Sequence, residues 1–169
     1  MFLVKPSSVP RICPCCGEAL RYRDSRKRIR RLGGGKKEHI QIRRLFCERC
    51  GRLHAELPDC LVPHKHYNAK IIEDVLDGEI TQDTLAYEDY PCAATMQRWI
   101  CWFEENRANI EGHLRRALTA AGKAFSLRNS SSWLVYLRSK KSIRSAGRWL
   151  NVTLRIIYNS GGALLAGPP

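Results

Sequence analysis

At 169 residues, with 44% hydrophobic and 27% charged positions, the chain has the composition to fold as one domain or two small ones. Phe2-Leu3-Val4 is too short for a signal peptide, and no stretch reaches the ~18 uninterrupted apolar residues of a membrane span. A membrane protein is thereby excluded and a cytoplasmic one expected, in which eight cysteines mean metal ligands or free thiols rather than disulfides. The net charge of +13 is unevenly spread: residues 1–67 hold 16 Lys/Arg against 6 Asp/Glu, residues 68–112 hold 3 against 10, and residues 113–169 hold 10 against none. Two basic flanks around an acidic middle predict two polyanion-binding faces; the plain alternative is a soluble basic protein.

In chain order, residues 1–11 read as a disordered leader, because Pro6, Ser7, Ser8 and Pro10 prevent regular structure. Residues 12–58 open with Cys13-Pro14-Cys15-Cys16-Gly17 and contain Cys47-Glu48-Arg49-Cys50-Gly51. Two Cys-x-x-Cys-Gly turns let four thiolates, Cys13, Cys16, Cys47 and Cys50, converge on one structural, tetrahedral Zn2+. Cys15 also neighbours Cys16, but only Cys13 has the two-residue gap, so Cys15 is expected to be a spectator. Between the turns, Ile40, Ile42 and Phe46 alternate with polar residues, and Gly33-Gly34-Gly35 separates two strand-like runs. The pattern predicts a β-hairpin, hence a zinc ribbon, with Arg52 to Leu57 as a third short strand.

The hairpin carries Arg21, Arg23, Arg26, Lys27, Arg28, Arg30, Arg31, Lys36 and Lys37, opposed only by Asp24. Nine cations on one ribbon predict tracking of a phosphate backbone, since no residue pattern shows which side chains would reach base edges. His54, His64 and His66 lie nearby; one could substitute as a metal ligand, although four cysteines already complete the site.

Residues 59–67 read as a stiff connector bracketed by Pro58 and Pro63, with His64-Lys65-His66-Tyr67 as a polar, partly basic edge. Residues 68–125 read as a helix-turn-helix and its following helix: Asn68 caps a helix through Ile71, Ile72, Val75 and Leu76, Gly78 ends it, and Thr81 caps a second from Gln82 to about Glu88. A third starts near Cys92 with Met96, Trp99, Ile100 and Phe103 on its core face. Thr95, Gln97, Arg98 and Cys101 then point outward, the first three as groove candidates. An ordinary three-helix core is the competing reading, and Gly112 is a point where the long apolar series to Phe125 could kink or divide. Residues 126–160 read as C-terminal helices, one beginning at Trp133 and one capped by Ser142 with Arg144, Arg148 and Arg155 on its polar face, a second phosphate-facing candidate. Residues 161–169 read as a loose tail.

The run from Cys13 to Gly17, the basic hairpin, and Arg43-Arg44-Leu45-Phe46-Cys47-Glu48-Arg49-Cys50-Gly51-Arg52-Leu53-His54 together resemble a transposase-type zinc ribbon. Ala94-Thr95-Met96-Gln97-Arg98-Trp99 is similar to the helix-turn-helix that follows it in insertion-sequence transposases, and Leu57-Pro58-Asp59 with Leu61-Val62-Pro63 is similar to small bacterial ribbon proteins. The resemblance implies Cys13, Cys16, Cys47 and Cys50 as metal ligands and duplex DNA as partner. A transposase also needs three separated carboxylates on an α/β core for two-metal chemistry; no Asp or Glu follows Glu111, and no strand-rich segment remains to build that core.

The expected fold is small α+β: an N-terminal β zinc ribbon followed by an all-helical region with a helix-turn-helix. The expected function is a non-catalytic, zinc-stabilised DNA-binding accessory or regulatory protein linked to a mobile element. Two alternatives stand beside it: an RNA-binding or transcription-machinery ribbon, and a module that docks a separately encoded recombinase.

Overall fold

Ile40 and Ile42 give the second hairpin strand one apolar face, and the sheet is built on it. The computed structural model describes residues 2–3, 11–84, 91–120, 132–139 and 148–160. Phe2–Leu3 (β1), Arg21–Arg31 (β2), Lys37–Phe46 (β3) and Leu53–Glu56 (β4) form one four-stranded sheet. β2, β3 and β4 are antiparallel neighbours, while the β1 backbone runs parallel to β3 at Ile40 and Gln41. A regular strand at Phe2–Leu3 corrects the expectation of a leader without structure there. Residues 4–10 lie outside the described residues.

Register pairs Arg28 with Ile40, Arg26 with Ile42 and Arg31 with Lys37, so the hairpin closes over the three glycines, with Gly34 and Gly35 at φ of 66° and 69°. Glycine takes that left-handed conformation without a Cβ clash. The third strand expected over Arg52 to Leu57 is β4. The expected alternation shifts near the end of β3, where Leu45 is buried and Phe46 half-buried, opposite an irregularity in β2 between Tyr22 and Asp24.

The connector is not a spacer. Leu61 and Val62 are fully buried; Leu61 packs with Ile40 and Ile42 under the sheet, and Val62 joins the helical core. Its backbone is pinned from three sides. Ala69 donates to the Cys60 carbonyl at 2.9 Å, the Tyr158 hydroxyl to the Leu61 carbonyl at 2.7 Å, and Arg28 to the carbonyls of Val62 at 3.2 Å and Lys65 at 2.7 Å. Arg31 exchanges backbone bonds with His66 and Asn68 at 2.7 and 2.9 Å, which ties the far end of β2 to the connector.

The helices are Ala69–Leu76 (α1), Ala93–Ala120 (α2), Trp133–Ser139 (α3) and Trp149–Asn159 (α4). Asn68 caps α1 as expected, its side chain accepting from the Lys70 amide at 3.1 Å, and Gly78 follows the helix at φ 73°. Of the second expected helix, the described residues show a turn of 3-10 helix at Gln82–Thr84, and the remainder to Glu88 lies outside them. Met96, Trp99 and Phe103 enter the core, but Ile100 is 39% exposed, because its 100° step from Trp99 carries it off the edge of the buried stripe. Gly112 does not divide α2, which continues past it for two turns. Residues 121–131 and 140–147 are outside the described residues, and with them Phe125, Ser142 and Arg144. α4 starts at Trp149 rather than beyond Ser142. No described helix is long and apolar enough to cross a membrane.

Charge segregation along the sequence resolves into pairing within the fold. Arg148 meets Glu73 at 2.8 Å, Glu79 at 3.3 Å and Asp74; Arg138 meets Asp77 at 2.7 Å; Arg155 meets Asp59 at 2.6 Å. The acidic middle is the counter-charge of the C-terminal helices. Arg148 and Arg155, expected as a second phosphate-facing surface, are both engaged by carboxylates in the fold. Each C-terminal helix is also started by a distant carboxylate: Glu73 accepts from the Leu150 amide at 2.9 Å, and Glu111 accepts from Trp133 and Leu134 amides, both at 3.0 Å, and from Ser132 at 2.8 Å.

Burial pushes the Glu111 carboxyl up, but the amides of Leu134 and Trp133, the Ser132 hydroxyl and Arg115 outweigh it and hold the group below the usual carboxylate range. A folded-state pKa below the unfolded one stabilises above the unfolded value near ~4.3 and loses that contribution as pH falls through the folded value. Glu111→Gln should cost about 1–3 kcal/mol at neutral pH, the scale of hydrogen bonds to a charged group, and the gap to wild type should close in acid. Chemical unfolding from pH 7 to pH 3 measures it; a gap independent of pH contradicts the capping role.

Candidate metal centre and nucleic-acid interface

Two short loops with the same backbone bonding build the cysteine site. In the first, Gly17 donates to the Cys13 carbonyl at 2.9 Å and Cys13 to the Glu18 carbonyl at 2.8 Å. In the second, Gly51 donates to the Cys47 carbonyl and Cys47 to the Arg52 carbonyl, both at 2.9 Å. Each turn needs a left-handed residue after its second cysteine, supplied by Gly17 at φ 76° and Gly51 at φ 68°. β2 leaves one loop and β3 enters the other, so pairing of the strands brings the loops face to face.

All four sulfurs of Cys13, Cys16, Cys47 and Cys50 lie within 4.8 Å of one another. Cys13 Sγ stands 3.6 Å from Cys50 Sγ, and Cys16 Sγ 3.4 Å from Cys47 Sγ. A thiolate tetrahedron with arms of about 2.3 Å has edges of roughly 3.8 Å, so the cluster is positioned for one four-coordinate metal ion. The ligand set expected from the spacing is the one assembled, with Cys13 buried inside it. Exposed Cys15 turns toward Arg52, whose guanidinium reaches its sulfur at 3.0 Å.

Without a cation the four groups cannot all ionise. Burial pushes the Cys13 thiol up, but the amides of Cys15 and Cys16 and the neighbouring thiols outweigh it and bring it to about 6. Cys50 is favoured as thiolate by the Arg52 amide, yet burial and the crowding of Cys47, Cys13 and Cys16 push it up to about 12. A bound divalent ion removes that conflict. His54, a candidate substitute ligand by sequence, has its Nε2 3.4 Å from Cys13 Sγ, where it joins Cys13 and Cys15 in an overlapping trio beside the tetrad.

The nine hairpin cations have unlike surroundings. Arg28, 9% exposed, serves the connector carbonyls and is a structural group rather than a surface cation. Arg30 is paired with Glu38, Arg21 with Glu48 at 2.8 Å, and Arg23 loosely with Asp24 at 3.9 Å. Among the described residues, Arg26, Lys27, Arg31, Lys36 and Lys37 have no carboxylate within ion-pair distance. Lys27, Ile29 and Arg31 of β2 pair across the hairpin with Gln41, His39 and Lys37 of β3, which puts three of these cations on one open face.

On α2, Gln97 and Arg98 are exposed and Thr95 half-buried; Arg98 bonds the Ala94 carbonyl at 3.2 Å and the Thr95 hydroxyl at 3.1 Å. Arg31, Thr95 and Arg98, which the sequence placed in separate units, meet in one cleft of about 380 Å³ with His64, Lys65 and His66. Lys65, which the sequence marks only as part of a polar edge, lines the same cleft as Arg98, and nothing local in the sequence signals that neighbourhood. A second cleft of about 480 Å³ shares His64 and His66 and continues along Arg26 and Lys27.

Comparison with protein families matches residues 13–99 to a family described as a domain of unknown function (DUF6431). The match spans just over half of the chain, and the chain belongs to this family. No curated protein and no solved structure matches it.

The geometry predicts one metal ion per chain, lost in Cys16→Ser and Cys47→Ser and kept in Cys15→Ser. His54→Ala should keep the ion but weaken its binding by about 10–100-fold, the usual effect of removing a partner of a ligand. Metal content by mass spectrometry and competition with a chelator measure both. Loss of the ion in Cys15→Ser with retention in Cys13→Ser contradicts the assignment.

Proposed function

We propose that this member of the DUF6431 family is a zinc-stabilised DNA-binding protein that acts as an accessory or regulatory factor and not as a catalyst. The carrying observation is the open hairpin face, where Lys27, Arg31 and Lys37 stand together without carboxylate partners, with Lys36 at the tip. Like charges so placed repel one another and are relieved by a polyanion.

Four thiolates in a tetrahedral cluster favour zinc, a soft-tolerant ion with no redox chemistry of its own. It would be held by Cys13, Cys16, Cys47 and Cys50, and when bound it supplies a structural clamp that fixes the start of β2 and the end of β3. The cations then track phosphates, while Gln97 on the exposed side of α2 supplies a contact that depends on sequence. The resemblance of the cysteine turns and hairpin to transposase ribbons supports a link to mobile-element DNA. Its carboxylates support a non-catalytic role, since Asp24, Glu38, Glu56, Glu73, Asp77 and Glu111 are all engaged by arginines or by helix amides.

Titration of labelled duplex, single strand and structured RNA over a salt series tests this. Five unpaired hairpin cations should give the hairpin a log–log salt slope of about −4 to −5 on duplex DNA, and replacing Lys27, Lys36 and Lys37 with Ala should flatten it by about 2 to 3 for all sequences alike. Arg28→Ala should instead lower stability, because it leaves connector carbonyls unpaired. Absence of nucleic-acid binding at low salt, or an unaltered slope in the triple variant, contradicts the proposal.

A further inference from the structure

Most of the arginines described face carboxylates, but three cations around one cleft do not. Arg31 lies over the Tyr67 ring at 5.5 Å, Lys65 over the Trp102 ring at 5.2 Å, and Arg98 is held by the Ala94 carbonyl and Thr95 hydroxyl. Each is fixed by an uncharged group, so its position is set, and no carboxylate among the described residues pairs with it.

We infer that the cleft between the end of β2, the 64–67 connector and the first turn of α2 is a phosphate clamp for the backbone of a bound nucleic acid, with Arg31, Lys65 and Arg98 as its cations. The inference rests on the nucleic-acid reading above and names where the strand is held. Among the described residues no carboxylate lines the cleft, and its lining otherwise offers two histidines, the Thr95 hydroxyl and the rings of Tyr67 and Trp99. Those rings meet edge to face at 5.0 Å and make a stiff apolar wall suited to sugar or base. The cations also feel one another: burial first, and the charge of Arg98 second, hold the Lys65 ammonium below its usual range.

A polymer fits better than a small anion because the cleft does not end at Arg31. His64 and His66 also line the second cleft, where Arg26 and Lys27 of β2 extend the charge that has no carboxylate partner among the described residues, with Ala55, Leu57 and Pro63 as its apolar lining. β2 borders the sheet on that side, with β3 as its only strand neighbour among the named strands. A backbone lying there touches the hairpin and α2 together, so the two candidate surfaces form one interface.

The test uses the full metal-loaded chain and anisotropy of a labelled random-sequence duplex over a salt series. Neutralising the clamp in Lys65→Gln/Arg98→Gln should flatten the salt slope by about 2, and Arg98→Gln alone by about 1, at ~0.9 per phosphate contact. Arg98 is exposed on a helix, so the single variant reports on the clamp even where the double variant is less stable. Unchanged slopes in both variants, with the hairpin lysine variant flattened, overturn the clamp and leave the hairpin reading standing. Failure of the wild type to bind any nucleic acid overturns both.

Discussion

The structure depends on the burial of Leu61, Val62 and Pro63 in the middle of the connector. A segment that passes through a core must find a partner for every backbone polar group it carries. Here Arg28 from the hairpin satisfies Val62 and Lys65, Tyr158 from the last helix satisfies Leu61, and the first amide of α1 satisfies Cys60. Leu61 and Val62 put one side chain into each apolar cluster. Sheet, first helix and last helix therefore meet at one stretch of chain, and the composition of each must serve it.

That arrangement explains why the ribbon carries a metal site. Its own buried cluster is Ile40, Ile42 and Leu61, too little apolar area to order a long hairpin. The open end is closed by the cysteine loops and the other end by the Arg31 backbone against His66 and Asn68. An ion bound at the first contributes on the order of 10–16 kcal/mol of apparent binding energy, above the net stability of a small domain. Clamped at both ends, the hairpin presents its cations on a fixed surface.

Features governed by spacing were legible in the sequence. The paired Cys-x-x-Cys-Gly turns gave the tetrad, three glycines gave the hairpin, Asn68 and Gly78 bounded α1, and Met96, Trp99 and Phe103 marked the inner face of α2. Features governed by distant partners were not. Arg28 looks like its neighbours Lys27 and Arg30 until the connector lies against it. Arg148 reads as a surface cation because Glu73 and Asp74 are far away in sequence, although they sit beside it in the fold. Lys65 lacked any local signal, since its neighbourhood with Arg98 exists only once α2 packs beside the connector.

Crosslinking of a bound, photoreactive nucleic acid, with the attached peptides located by mass spectrometry, tests the account most directly, because it reports position without altering any side chain. Attachment is expected within residues 26–31, 64–67 and 95–98, the two sides and floor of a single basic track. Attachment confined to α3 and α4, where the described arginines already face carboxylates, would contradict it.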